Sequence, residues 1–251
     1  MSSSPRVVVH RDPQLLAAAG AARLVTRLVD AQSARGVASV VLTGGTMGSA
    51  LLAAVATSPA RDAIDWSRLD VWWGDERFLS QGHPDRNETQ NRAALLDQVP
   101  LDPARVHAMP GPDGPDGEDV DAAAASYAAA LARAADDGDL TPVFDVLMLG
   151  VGPDAHVASL FPGAPALAET ERTAIAVRNS PKPPPTRITL TMPVLHRADE
   201  VWFLVAGADK ADAVRLAWSG ATQEQAPAAG PRGRQATLWL VDQAAASGLK
   251  S

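Results

Sequence analysis

Short apolar runs alternate with helix-length stretches along this chain, and that alternation limits its fold more than any other feature. The runs are Arg6–His10, Ser39–Thr43, Leu69–Gly74, Phe144–Leu149, Thr173–Val177, Arg187–Thr191, Val201–Ala206 and Thr237–Val241. Several are continuous β-branched or aromatic segments, as expected of strands covered on both faces. Between them lie helix candidates. The first has Asp12 as N-cap, Pro13 at its first position, a Leu24/Leu28 and Val25/Val29 stripe, and Gly36 as stop. The others span roughly Met47–Thr57, Arg86–Gln98, Val120–Ala135, Ala208–Trp218 and Gln243–Ser247. The expected class is α/β, a mostly parallel sheet with helices on both faces.

Two stretches punctuate this pattern. "GPDGPDGED" (111–119) reads as a turn-rich surface loop, and "NSPKPPPTR" (179–187) as a stiff extended segment that delivers Arg187 to a strand. No repeat or boundary divides the chain, so residues 1–251 are expected to form a single α/β domain.

Composition removes several functions. With 46% hydrophobic residues the chain can build a core. It lacks an apolar run of about 18 residues, so no membrane span is expected. Its start, MSSSPRVVVHRDPQ, lacks the apolar region of a signal peptide. The absence of cysteine excludes thiol catalysis and cysteine metal sites, and fits a cytoplasmic location. A net charge of −7 disfavours nucleic acid as a partner. An anionic small substrate would need arginines and lysines gathered locally against that field.

The stretch "FDVLMLGVGPDAHVASLFPG" (144–163) contains a GxGxxA match, Gly150 to Ala155. A dinucleotide loop needs free N–H groups at the turn and a long helix behind it. Pro153 removes one N–H, and Pro162-Gly163 stops any helix early. The next strand closes on Arg178 and Asn179 rather than an acid. The match is therefore read as accidental. What remains is a strand end, a tight turn, Asp154 and His156, at the edge where open α/β sheets bind ligands. A structural histidine bonded to a carbonyl is the competing reading.

Three further segments carry chemistry. In "SVVLTGGTMGSALL" a strand ends in Thr43-Gly44-Gly45-Thr46 before a helix, a plausible phosphate cradle but not a Walker loop, for want of a lysine. In "LDVWWGDERF" a strand runs into Asp75-Glu76-Arg77, charges that burial would force into pairs, and Asn87 in the following "HPDRNETQNR" reads as a helix cap. Lys210 stands in the first turn of a helix, where it opposes the dipole unless an anion is bound. The five histidines form no HxxxH or HxH pair, so no metal is expected. Tryptophans 72, 73, 202, 218 and 239 are expected in the core.

Taken together, "LTGGT", "WGDER" with "HPDRN", "LGVGPDAHVASLFPG", "PKPPPTRITLTMPVL" and "VWFLVAGADKADAV" resemble, in order and spacing, the 6-phosphogluconolactonase family. That family shares its fold with glucosamine-6-phosphate deaminases and ribose-5-phosphate isomerases. The resemblance covers nearly the whole chain. It implies a modified Rossmann-like fold and hydrolysis of 6-phospho-D-glucono-1,5-lactone to 6-phosphogluconate, with no cofactor or metal. By the family pattern Gly44, Gly45, Thr46, Arg187 and Lys210 hold the phosphate, and Asp75, Arg77 and His156 surround the lactone. A histidine can take a proton from water and return it to the leaving oxygen, with Asp154 positioning it and Arg77 or backbone N–H groups meeting the oxyanion.

Two positions depart from the pattern. Asp154-Ala155-His156 replaces Asp-Gly-His, a strain of roughly 1 kcal/mol or more if the position has positive φ. Met47-Gly48 stands where the family often has proline. Two rivals remain: a sugar-phosphate deaminase or isomerase on the same scaffold, and a non-catalytic sugar-phosphate sensor. A phosphorylated sugar lactone is the expected partner, with neither nucleic acid nor membrane, and a monomer or weak homodimer the expected state.

Overall fold

The computed structural model describes residues 4–249. In chain order its elements are β1 (Arg6–His10), α1 (Pro13–Arg35), β2 (Ala38–Leu42), α2 (Gly45–Thr57), β3 (Leu69–Trp73), β4 (Asp75–Arg77), α3 (Asn87–Ala94) and α4 (Val120–Ala134). Then come β5 (Val146–Gly150), β6 (Ala174–Val177), β7 (Arg187–Leu190), α5 (Met192–Leu195), β8 (Glu200–Val205), α6 (Ala211–Trp218) and β9 (Ala236–Asp242).

The first helix forms as its caps dictate. Asp12 accepts from the Leu15 N–H at 2.8 Å, Pro13 opens the helix, and Gly36 at φ 78 closes it. Leu16, Leu24, Leu28 and Ala31 form its buried stripe. Every residue of β2 is buried, which leaves neither face of that strand to solvent.

Six strands make one all-parallel sheet in the order β1–β9–β8–β5–β2–β3. Registers such as Leu42 opposite Trp73 and Gly150 opposite Leu204 bring the carboxyl ends of β2, β3, β5 and β8 to one edge. From β2 the chain steps to β3 on one side; from β5 it works outward to β8 and β9 on the other. Loops leaving β2 and β5 diverge there, and a crevice opens at such a switch of direction.

Some expectations need correction. Thr173–Val177 and Arg187–Thr191 are not part of the parallel sheet. With Asp75–Arg77 they form a second, antiparallel sheet, β4–β7–β6. The link 178–186 holds no helix, and parallel neighbours need a longer crossover. The chain switches sheets at Gly74, whose N–H still donates to the Leu42 carbonyl while its own carbonyl accepts from Leu190. The Arg86–Gln98 helix is shorter: Leu95 leaves helical geometry at φ −151, and a 3₁₀ turn, Leu96–Gln98, follows. Gln243–Ser247 is not an α-helix; a 3₁₀ turn spans Ala245–Gly248. Trp218, at the end of α6, is 37% exposed rather than core, touching Trp239 edge-on.

Candidate active site

The side chains of the crevice are set by strand ends and by one helix. Thr43 follows β2, and its hydroxyl accepts the Gly150 N–H at 3.2 Å, tying the ends of β2 and β5. On α3, Asn87 and Asn91 stand four apart and so share a face. Asn91 accepts from the Trp73 indole at 2.8 Å and donates to the Thr43 carbonyl at 3.3 Å. Asn87 lies so close to the glycine turn that a Cβ on Gly44 would come within 1.8 Å of its Oδ1.

The three charges after Gly74 go three ways. Asp75 is buried; it accepts from the Ser159 hydroxyl at 2.6 Å and from Asn87 Nδ2 at 3.3 Å. Glu76 accepts the N–H groups of Asn87 at 2.7 Å and Glu88 at 2.8 Å, so it caps α3 from a neighbouring strand. Burial pushes its carboxyl up to about 7, against Arg86 and those N–H donors. This corrects the reading of Asn87 as the cap. Arg86 occupies that position, and the Asn87 amide serves Asp75 and Arg77 instead. Arg77 donates to Asn87 Oδ1 and to the Asp85 carbonyl at 3.0 Å, while its Nε is buried without a partner among the described residues.

Beyond β5 no helix forms across 151–163, so the GxGxxA segment lacks the helix N-terminus a dinucleotide needs. The turn is closed by Gly152 N–H to the His156 carbonyl at 3.0 Å and Ala155 N–H to the Gly152 carbonyl at 2.9 Å. Ala155 has φ 64, so the position where the family pattern has glycine is left-handed here. His156 Nδ1 lies 2.5 Å from Asp154 Oδ1, and its ring packs on Phe161 at 4.5 Å. The imidazole is 15% exposed. Burial holds it below its ordinary 6.5, with Lys182 adding to that and Asp154 opposing. Burial raises Asp154, but the His156 hydrogen bond and the charges of His156 and Lys182 outweigh it and hold the carboxyl low.

These parts share one cleft of about 300 Å³, which brings Gly44, Gly45, Asp75, Arg77, His156, Arg187 and Lys210 together. An adjoining hollow of about 500 Å³ shares Gly44, Gly45 and Lys210 with it and adds Thr46. Asp154 stands behind His156 and lines neither. Arg187 is on the His156 side, with its N–H groups directed to the carbonyls of Lys182 at 3.0 Å and of Pro183 and Pro184 at 3.2 Å. It faces Arg77 directly across the β4–β7 ladder. Like charges so placed repel, and the Asp75 carboxylate, 3.8 Å from Arg187 Nη1, offsets part of that repulsion. Sequence reasoning missed Lys182 and Asn87 as cleft residues. With Lys182, four cations (Arg77, Lys182, Arg187, Lys210) face the single carboxylate Asp75 in a chain of net charge −7. Among the described residues, no group of three His, Asp or Glu has metal-binding geometry.

The family model for glucosamine-6-phosphate isomerases/6-phosphogluconolactonase matches residues 11–239. The chain belongs to this family. It is 65% identical over 251 residues to the 6-phosphogluconolactonase of Streptomyces coelicolor, covering 99% of this chain and 96% of the relative. It is 48% identical to the 6-phosphogluconolactonase of Mycobacterium tuberculosis, covering 100% of each. The solved 6-phosphogluconolactonase of Trypanosoma brucei has a TM-score of 0.80 at 28% identity, covering 99% of this chain and 100% of that one. The family thus gives a context for the cationic cleft and for the imidazole–carboxylate pair within it.

Proposed function

We propose that this chain hydrolyses 6-phospho-D-glucono-1,5-lactone to 6-phospho-D-gluconate, in the oxidative pentose phosphate pathway. One observation carries the reading: an imidazole that burial holds below its ordinary 6.5, backed by a carboxylate, lies in a cleft whose other charges are mainly cations. The phosphoryl end fits the hollow of Gly44, Gly45, Thr46 and Lys210, where the start of α2 offers N–H groups and Lys210 a counter-charge. The lactone ring then lies toward Asp75, Arg77 and His156, with Arg187 fixing the wall.

His156 takes a proton from water as the water oxygen bonds to the lactone carbonyl carbon. The Arg77 guanidinium, which lines the cleft, is a donor for the developing oxyanion. As the ring C–O bond breaks, the imidazolium returns its proton to the leaving oxygen. Phosphate binding away from the reacting carbon supplies orientation. The deaminase reading needs a free carboxylate base near C2. Asp75, the carboxylate in the cleft, is already engaged by Ser159 and Asn87.

The first and last strands, β1 and β9, pair along their length, which supports one domain for residues 1–251. A monomer or weak homodimer in the cytoplasm, acting without cofactor, completes the proposal.

The test is lactone consumption on freshly generated substrate, corrected for spontaneous hydrolysis. His156→Ala should lose about 10²–10⁴ in turnover while KM stays close to wild type. Wild-type turnover in that variant would remove His156 from the mechanism. Ammonia release from glucosamine 6-phosphate would favour the deaminase.

A further inference from the structure

Lys182 lies outside the residues singled out from the sequence, yet its ammonium meets the imidazole–carboxylate pair. Its Nζ is 3.4 Å from Asp154 Oδ1 and 3.4 Å from His156 Nδ1. It arrives from the proline segment between β6 and β7 and meets the turn after β5. Its backbone is held there: the Lys182 carbonyl accepts from Arg187 Nη2 at 3.0 Å and from the Ser180 hydroxyl at 3.0 Å. The side chain itself is 38% exposed and carries none of those bonds.

These distances decide where the ring's proton sits. An ionised carboxylate only accepts, so the 2.5 Å separation of Asp154 Oδ1 and His156 Nδ1 requires a proton on Nδ1. An ammonium only donates, so Lys182 has no bond to make with a protonated Nδ1. It is instead the second donor to Asp154 Oδ1. Nε2, which makes no hydrogen bond among the described residues, is left as the basic atom.

We propose that Lys182 is a positioning residue for lactone opening: it pins Asp154, which in turn holds the proton on Nδ1, and it sets a positive charge beside the ring that drives the proton on Nε2 onward to the leaving oxygen. The proposal rests on His156 as the base. Lys182 keeps its own protons throughout. Nε2 gains one proton from water as the C–O bond to the carbonyl carbon forms, and gives one up as the ring C–O bond breaks.

The charges around His156 come from several elements. Asp154 lies on its own turn, Lys182 on the proline segment and Asp75 on β4; all three act on the ring. Arg77, Arg187 and Lys210 line the same cleft. Asp154 and Asp75 favour the protonated ring, and burial and Lys182 oppose it. An imidazolium beside an uncompensated carboxylate would be a weaker acid and slower to return its proton.

The experiment is long-range ¹⁵N NMR of the histidine rings in ligand-free wild type, Lys182→Met and Lys182→Arg, with His156→Ala assigning the resonance. The same proteins are assayed for lactone consumption across pH. In wild type the neutral ring should be protonated at Nδ1 and bare at Nε2. In Lys182→Met its titration midpoint should move to higher pH and kcat should fall, by less than the loss of the base itself, at little change in KM. Arginine should restore both. A midpoint unmoved or lowered in Lys182→Met, or an Nε2–H tautomer in wild type, overturns the proposal. The NMR needs no substrate. A wild-type protein inactive on the lactone would sink the functional reading, while the ring titration would still judge the contact between Lys182 and its pair.

Discussion

Gly152 packs directly against His156 and Asp154, and alanine there is the sharpest test of the proposed site. A Cβ would lie 2.0 Å from His156 Nδ1, 2.1 Å from Cε1 and 2.4 Å from Asp154 Oδ1. Ordinary contact begins near 3.4 Å, so the ring has to retreat by about 1.4 Å (3.4 − 2.0). The position lies outside the left-handed region, so alanine adds no backbone strain and the damage stays with the two side chains. Misplacing a reacting group by about 1 Å can cost roughly 10²-fold, and losing a general base costs about 10²–10⁴. Gly152→Ala should therefore lower kcat by about 10²–10⁴, or about 3–5 kcal/mol of transition-state stabilisation. KM should change little, because the hollow around Gly44, Gly45, Thr46 and Lys210 is untouched. The assay is steady-state lactone consumption, with thermal unfolding alongside to show an intact fold. Turnover near wild type in the folded variant would refute both the geometry and the role of the pair.

Other predictions follow from the same contacts. On the proposed mechanism turnover requires neutral His156, so kcat/KM should fall as pH drops through a midpoint that burial, reinforced by Lys182, keeps below 6.5; a pH–rate profile with its acid limb above that value contradicts the assignment. Glu76 is raised from 4.5 to about 7, so the native state binds more protons than the unfolded chain between those values and stability is lost as pH rises. The stability gap between wild type and Glu76→Gln should shrink by up to about 3 kcal/mol across that window, at about 1.36 kcal/mol per pH unit; a gap constant with pH in urea titrations would refute the shift. Ala155→Gly should be tolerated, since relief of roughly 1–2 kcal/mol of left-handed strain outweighs about 0.8 kcal/mol for the buried methyl. A clear loss of urea stability would show that the strain is not there.

What the sequence makes legible here, and what it hides, divides along the two sheets. The inner strands of the parallel sheet are buried on both faces and announce themselves as continuous apolar runs such as Val146–Gly150. Register then aligns their carboxyl ends, so Gly44, Asp75, His156 and Lys210 all stand within a few residues of a strand end and can be picked out locally. In the second sheet β6 and β7 also read as apolar runs, but nothing local shows that they leave the parallel sheet and join β4 in an antiparallel one. Its strand β4 is Asp-Glu-Arg, three charged residues made into a strand by pairing with β7. Asn87 looks like a cap because asparagine is usually a cap; the actual capping carboxylate comes from Glu76, eleven positions earlier on that unreadable strand. Lys182 sits in a segment that local chemistry reads only as stiff, and it gains its meaning by folding back on a turn 26 positions earlier. Reactive groups are thus readable from local context, whereas the groups that hold and tune them depend on long-range pairing. Because the Lys182 side chain is more than a third exposed while its backbone carries the hydrogen bonds that hold the segment, changing that side chain should alter the proton chemistry before it alters the fold.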